Sequence, residues 1–61
     1  MTVHVLLERT KTRGYRVAWV ARDGTKVIRY RGIRDYEDAY RQAARLADLH
    51  NCPIVEAAVV A

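Results

Sequence analysis

The stretch GYRVAWVARDGTKVIRYRG, residues 14–32, decides the fold of this chain. Apolar and polar side chains alternate on both sides of Asp23-Gly24, with the period of a half-buried β-strand. Asp-Gly between two such runs is a strong hairpin signal, because both central residues of a type I′ turn need a positive φ. We therefore predict two antiparallel strands joined by a two-residue turn. The face of Trp19 then carries Tyr15, Val17, Trp19, Ala21, Ile28 and Tyr30, and the opposite face carries Arg16, Ala18, Val20, Arg22, Val27, Arg29 and Arg31.

A strand precedes this hairpin, and a helix and a further strand follow it. Thr2–Arg9 alternates in the same way, and residues 53–60 form a last apolar run of strand type. Between Asp35 and Asn51 the period changes to 3.6, with an N-cap residue first and acids in the first turn. The apolar stripe of this helix is Tyr36, Ala39, Tyr40, Ala43, Leu46, Ala47 and His50.

The predicted order β-β-β-α-β indicates an α+β domain, with a mostly antiparallel sheet and one helix packed on one face. The helix stripe is expected to cover the Trp19 face, so the Arg16 face is left uncovered, and we call it the open face. The last strand must run parallel to the first and third strands and should pair beside one of them, and we expect it to pair beside the first.

The length of the chain limits what it can be. Its 61 residues predict a single domain over residues 1–61, with a core small enough to favour a homodimer. A single cysteine excludes an intramolecular disulfide framework and is typical of a reducing compartment. We see neither a secretory leader nor a run of about 18 apolar residues, which predicts a cytoplasmic protein without a membrane role.

The charge of the chain is concentrated on the hairpin. Eleven Lys and Arg residues against seven Asp and Glu residues give a formal net charge of +4. Nine of those basic residues lie between Arg9 and Arg34, together with one acid, Asp23. From Asp35 onward there are five acids and two bases. A basic half of this kind favours an acidic partner, either a nucleic acid or an acidic protein.

The open face suggests two functions. Arginines on one face of a sheet have the geometry to contact phosphates, and a sheet can also enter the major groove of DNA. For nucleic-acid binding the candidate residues are Lys11, Arg13, Arg16, Arg22, Lys26, Arg29 and Arg31. The alternative is a protein-interaction or dimerisation module, such as a small phage or host regulator, that uses the last strand or the open face. Its candidate contact residues on the open face are Ala18, Val20 and Val27. A third interpretation is a solvated surface with no partner.

Residues 18–48 also resemble the DNA-binding domain of the plant ethylene-response factors and the arm-type domains of phage integrases. The shared features are Trp19-Val20-Ala21, Asp23-Gly24, Gly32-Ile33 and the Ala-rich helix with an acidic first turn and Tyr40. That family has three strands and a helix, and its strands contact DNA. The resemblance therefore implies DNA contacts by Arg16, Arg22, Arg29 and Arg31.

Catalytic and metal-binding residues are not predicted. The chain contains no serine, and Cys52 before Pro53 has the character of a helix-exit residue rather than of an activated thiolate. His4, His50 and Cys52 are too few for a structural zinc site. Each glycine closes a separate turn, so no phosphate-binding loop is present. We predict a non-enzymatic protein without a cofactor or a small-molecule substrate.

Overall fold

The chain forms four strands and one helix within residues 2–11 and 14–58, the ranges that the computed structural model describes. In chain order they are β1 (His4–Arg9), β2 (Tyr15–Val20), β3 (Lys26–Ile33), α1 (Tyr36–His50) and β4 (Ile54–Ala58). The predicted α+β class and element order are confirmed. Arg13, one of the candidate residues, and Val59 and Val60 of the predicted last strand lie outside the described ranges.

The sheet has the strand order β3-β2-β1-β4 and is mostly antiparallel. β2 pairs antiparallel with both β1 and β3, whereas β4 runs parallel to β1, with Val5 opposite Ile54. The expected position of the last strand beside the first is therefore confirmed. The helix between β3 and β4 carries the chain across one face, as a parallel return requires.

Both ends of α1 are closed as their residue types predict. The Asp35 side chain accepts a hydrogen bond from the Glu37 N–H, which would otherwise lack a partner within the helix. Asn51 takes the left-handed conformation at the other end, with φ 51°, and the Cys52 N–H donates to the Ala47 carbonyl at 3.0 Å.

The core lies between α1 and the face of the sheet that contains Val17. Its buried members are Val5, Leu7, Val17, Ala39, Ala43, Leu46 and Ala47. The alanines let the helix approach the strands closely. Trp19 lies on this face, as predicted, and packs half-buried at the margin of the core, with its ring centroid 5.0 Å from that of His50.

The turn of the β2–β3 hairpin is one residue longer than predicted. The Ala21 N–H donates to the Thr25 carbonyl, and the Gly24 N–H donates to the Ala21 carbonyl. Arg22, Asp23 and Gly24 therefore form a three-residue loop, in which Gly24 takes a positive φ of 92° and Asp23 does not. This is the three-residue class of hairpin with a glycine in the left-handed position, and the predicted type I′ turn is wrong.

The longer loop shifts the register of β3, and a β-bulge corrects the shift. Next to the loop, Trp19 pairs with Val27 and Ala18 pairs with Ile28. Moving away from the loop, the next residue of β2, Val17, pairs with Tyr30 rather than with Arg29. Arg29 is the extra residue. The predicted faces of Val27 and Ile28 are therefore wrong: Val27 lies opposite Trp19, and Ile28 lies on the open face. A one-residue shift exchanges the two faces of a strand, and here it affects only the segment between the loop and the bulge.

A second irregularity follows where the hairpin ends. Tyr15 pairs with Ile33 and Val17 with Tyr30, so Arg31 and Gly32 together lie opposite Arg16. Gly32 has a positive φ of 71°, a conformation that suits glycine.

Candidate functional site

The strand register defines the open face row by row. The residues that share this face are His4, Leu6, Glu8, Arg16, Ala18, Val20, Lys26, Ile28, Val55 and Ala57. The central row is apolar and crosses all four strands, from Val55 through Leu6 and Ala18 to Ile28. One neighbouring row contains Glu8 and Arg16, and the other contains Val20 and Lys26.

Glu8 is the centre of an ionic cluster on this face. Arg16 Nε donates to Glu8 Oε1 at 2.7 Å, and Lys26 Nζ donates to Glu8 Oε2 at 2.8 Å. The glutamate is buried, with 5% of its surface exposed, although no helix covers this face. The side chains of Arg16 and Lys26 are about one-third exposed, at 32% and 35%. We refer to Glu8, Arg16 and Lys26 as the ionic cluster.

The Lys26 side chain must cross β2 to reach Glu8. Lys26 is opposite Val20 and Glu8 is opposite Arg16, so the diagonal between them passes over Ala18. The small alanine leaves room for this crossing, and we attribute to it the complete burial of Ala18 on the face opposite the helix.

The expectation that Ala18 and Val20 are exposed is consequently wrong. Ala18 is 0% exposed and Val20 is 6% exposed, so both side chains are buried by other residues of the same chain. Val27, the third predicted contact residue, pairs with Trp19, so it lies on the face of Trp19 and not on the open face. The apolar surface that the open face does present comes from Val55 and Ala57, which are exposed, and from Leu6 and Ile28, which are half-buried.

The ionic cluster keeps Glu8 charged. Burial raises the pKa of the Glu8 carboxyl, but the hydrogen bonds and charges of Lys26 and Arg16 lower it, and the resulting pKa is below its ordinary value of 4.5. Both carboxylate oxygens are therefore negative acceptors at neutral pH.

Acid should remove the contribution of the ionic cluster to stability. Because the folded pKa of Glu8 is lowered, this contribution is complete above its ordinary value of 4.5 and is lost as the pH falls through the lowered pKa. Thermal melting of the wild type and of Glu8→Gln between roughly pH 7 and pH 3 measures the effect. The wild type should lose more stability than the variant, which has no titrating group at residue 8. Equal losses in the two proteins would show that the cluster does not contribute.

The structure separates five of the candidate basic residues into two groups. Arg16 and Lys26 belong to the ionic cluster on the open face. Arg22, Arg29 and Arg31 are exposed and lie along the hairpin. Arg22 is in the loop, Arg29 is at the first bulge, and Arg31 is opposite Arg16. None of these three forms an ion pair with the residues in ranges 2–11 and 14–58. Lys11 is exposed beyond the end of β1.

Glu8 was not among the predicted site residues. A signal for it exists in the sequence: Glu8 is the single acid at an open-face position of the first three predicted strands, and antiparallel pairing brings it opposite a basic residue. The participation of Lys26 could not be foreseen in this way, because it depends on the three-residue loop.

Two surface grooves are lined mainly by residues outside the open face. One is next to Tyr15 and Tyr36, whose rings pack edge to face, and the Tyr36 hydroxyl donates to Glu56 Oε1 at 2.8 Å. This hydrogen bond raises the pKa of Tyr36. The other groove lies beside Trp19, His50 and Cys52. In the described part of the chain, no three His, Cys, Asp or Glu side chains are grouped as metal ligands would be.

Comparisons of the chain with known proteins found no match. No protein-family model, curated protein or solved structure matches it. The resemblance to the ethylene-response and integrase domains therefore stays a prediction. Across residues 2–11 and 14–58, no helix has the length and apolar character needed to cross a bilayer.

Proposed function

We propose that this protein binds nucleic acid, with the basic side chains of the β2–β3 hairpin contacting backbone phosphates. The observation that carries the proposal is the exposure of Arg22, Arg29 and Arg31 and the ion pairing of their side chains. All three are exposed, and none is neutralised by an ion pair within the described ranges. Exposed, unpaired arginines along one hairpin are suited to a polyanion, because each can give a charge-assisted hydrogen bond to a phosphate oxygen.

The acids nearest to the hairpin are already engaged within the protein. The Asp23 carboxylate accepts the Thr25 N–H at 2.9 Å, and the Glu8 carboxylate accepts from Arg16 and Lys26. Residues 14–32 contain five basic residues and one acid, which gives this segment a net charge of 5 − 1 = +4. The whole formal excess of the chain is therefore equal to the charge of the hairpin.

The position of β3 in the sheet also supports the proposal. β3 is an edge strand, so its arginines are accessible without rearrangement of the fold. The competing function, a protein contact through Ala18, Val20 and Val27, loses support because the first two are buried and the third lies on the other face.

Salt dependence is the first test. Each phosphate contact releases counterions, so the logarithm of the binding constant should fall by about 0.9 per contact for each decade of salt. The double variant Arg29→Ala/Arg31→Ala should flatten this slope by about 2 for duplex DNA, again at about 0.9 per lost contact. Fluorescence anisotropy with labelled duplex DNA and duplex RNA, over a series of salt concentrations, measures the slope.

A matched control is available on the helix. Arg41→Ala/Arg45→Ala removes the same two charges, from exposed residues on α1. It should leave the slope close to that of the wild type. A similar flattening in both double variants would show that net charge alone is responsible and that the hairpin is not the binding site. No binding of the wild type to DNA or RNA at low salt would overturn the proposal and favour an acidic protein as the partner.

A further inference from the structure

The ionic cluster poses a problem for a surface that binds an anion. Glu8 is a carboxylate on the open face, adjacent to the basic hairpin, and it is charged at neutral pH. On charge alone it opposes the approach of a phosphate. It also engages two cations that could otherwise bind a phosphate freely.

Stability gives a weak reason for this arrangement. A buried ion pair is often no more stabilising than apolar side chains of similar volume, because the desolvation of the charges offsets their attraction. The neighbouring positions on the open face are apolar, with Leu6, Ala18 and Ile28 in the next row, so an apolar residue at position 8 would suit the surface.

The donor atoms that the cluster leaves free suggest a different reason. Arg16 bonds to Glu8 through Nε, and within residues 2–11 and 14–58 its two terminal Nη groups have no other acceptor, so their four N–H donors are available. Lys26 uses one of its three N–H donors for Glu8. The two cations are held by the two oxygens of a single carboxylate, so they lie side by side, and each is about one-third exposed.

We infer that Glu8 is a positioning residue, which holds Arg16 and Lys26 together as a preformed site for one phosphodiester group. The inference rests on the proposed nucleic-acid binding and adds the place where one phosphate binds. Arg16 offers its two Nη groups as a fork that matches two phosphate oxygens, and Lys26 adds a point charge beside it. Because Glu8 fixes the geometry beforehand, binding does not have to order two long side chains.

The sign of one mutational effect tests this inference. Glu8→Gln raises the net charge by one, so simple electrostatics predicts tighter binding of duplex DNA. A positioning role predicts the opposite: the neutral amide holds the two cations less firmly, and binding should weaken about tenfold. Anisotropy titrations with labelled duplex DNA, and in parallel with duplex RNA, measure the change at fixed salt, well below the melting temperature of the variant. Weakening for one of the two duplexes identifies which of them supplies the phosphate.

Glu37→Gln is the matched control for charge. Glu37 is an exposed acid in the first turn of α1 and lies outside the ionic cluster, so its variant gains the same charge without touching Arg16 or Lys26. It should bind as tightly as the wild type or more tightly. If Glu8→Gln behaves like Glu37→Gln with both duplexes, the positioning role is refuted, while a salt-dependent wild type would still support the proposed function.

Arg16→Lys gives an independent readout if Glu8→Gln fails to fold. Lysine keeps the charge, but its three N–H donors share one nitrogen, so it lacks the planar pair of Nη groups that remains available when Arg16 bonds Glu8 through Nε. Binding should weaken about tenfold while the salt slope changes little, since the number of charges is preserved. Binding at the wild-type level by Arg16→Lys would contradict the fork geometry and overturn the inference.

Discussion

Trp19→Ala should destabilise the fold by about 3 kcal/mol, because it removes the largest side chain that packs at the margin of the core. A domain of this length has a free energy of unfolding of roughly 3–9 kcal/mol, so the variant should lose at least a third of it. Trp19 contacts the core cluster on one side, and its ring lies 5.0 Å from the ring of His50. Its Nε1 is buried without a hydrogen-bond partner in the described ranges, so the effect comes from packing.

Thermal melting by circular dichroism measures this loss, which corresponds to a fall of about 12–24 °C for so small a domain. Leu49→Ala is the control, since Leu49 lies one residue before His50 and is 75% exposed. Its melting temperature should change by a few degrees at most. If Trp19→Ala has the same melting temperature as Leu49→Ala, Trp19 does not support the core and the assignment of the covered face would have to be revised.

Gly14→Ala should be equally severe, for a reason that concerns the backbone. Gly14 has a φ of 76°, a conformation that costs other residues about 1–2 kcal/mol. A Cβ there would overlap the carbonyl oxygen of Ile33 and approach the Cα of Arg34 to 3.1 Å. Both obstacles are backbone atoms at the end of β3, so relief requires the strands to move apart. Together we expect a loss of about 3 kcal/mol or more, measured by chemical denaturation.

Gly32→Ala separates the two causes of that loss. Gly32 has a similar φ of 71°, but a Cβ there would meet no atom within 4 Å. The free energy of unfolding of Gly32→Ala should therefore fall by about 1 kcal/mol, the cost of the backbone conformation alone. Equal losses at Gly14 and Gly32 would show that the sheet end tolerates the extra atom.

The helix and the strand order could be predicted because they depend on residue type and on period. Asp35 and Asn51 are typical end residues for a helix, and the alternation of β1 and β2 remains in phase over their whole length. The apolar stripe of the helix indicated which of its own sides packs against the sheet. Where a local rule decides the outcome, the sequence is sufficient.

The faces of β3 could not be predicted, because they depend on the length of one loop. Asp23-Gly24 fits a two-residue turn with both residues at positive φ, and it fits equally the observed loop, in which only Gly24 has a positive φ. The Asp23 side chain bonds the Thr25 N–H, and this local contact accompanies the longer loop. Because the loop is one residue longer, Val27 and Ile28 each lie on the face predicted for the other. The bulge at Arg29 then restores the predicted alternation from Tyr30.

The candidate site was predicted in part for the same reason. The basic hairpin follows from composition and spacing, but we attribute the burial of Ala18 to Lys26, whose side chain reaches from β3 to Glu8 on β1. An exposed apolar residue and one covered by a long neighbour have the same sequence pattern. The contact appears only when the register of all three strands is known.

The two irregularities of β3 also bear on how readily this edge of the sheet could pair with a strand of another molecule. An edge strand presents unpaired N–H and C=O groups, and a straight edge is a template for a strand from another molecule. β3 is an edge strand, but it is interrupted at Arg29 and again at Arg31-Gly32, and it carries three exposed cations. Bulges and charges are the features by which natural sheets block such growth. The opposite edge, β4, is short and carries a single charged residue, Glu56, so the protection of the sheet against fibre-like stacking is concentrated on its basic side.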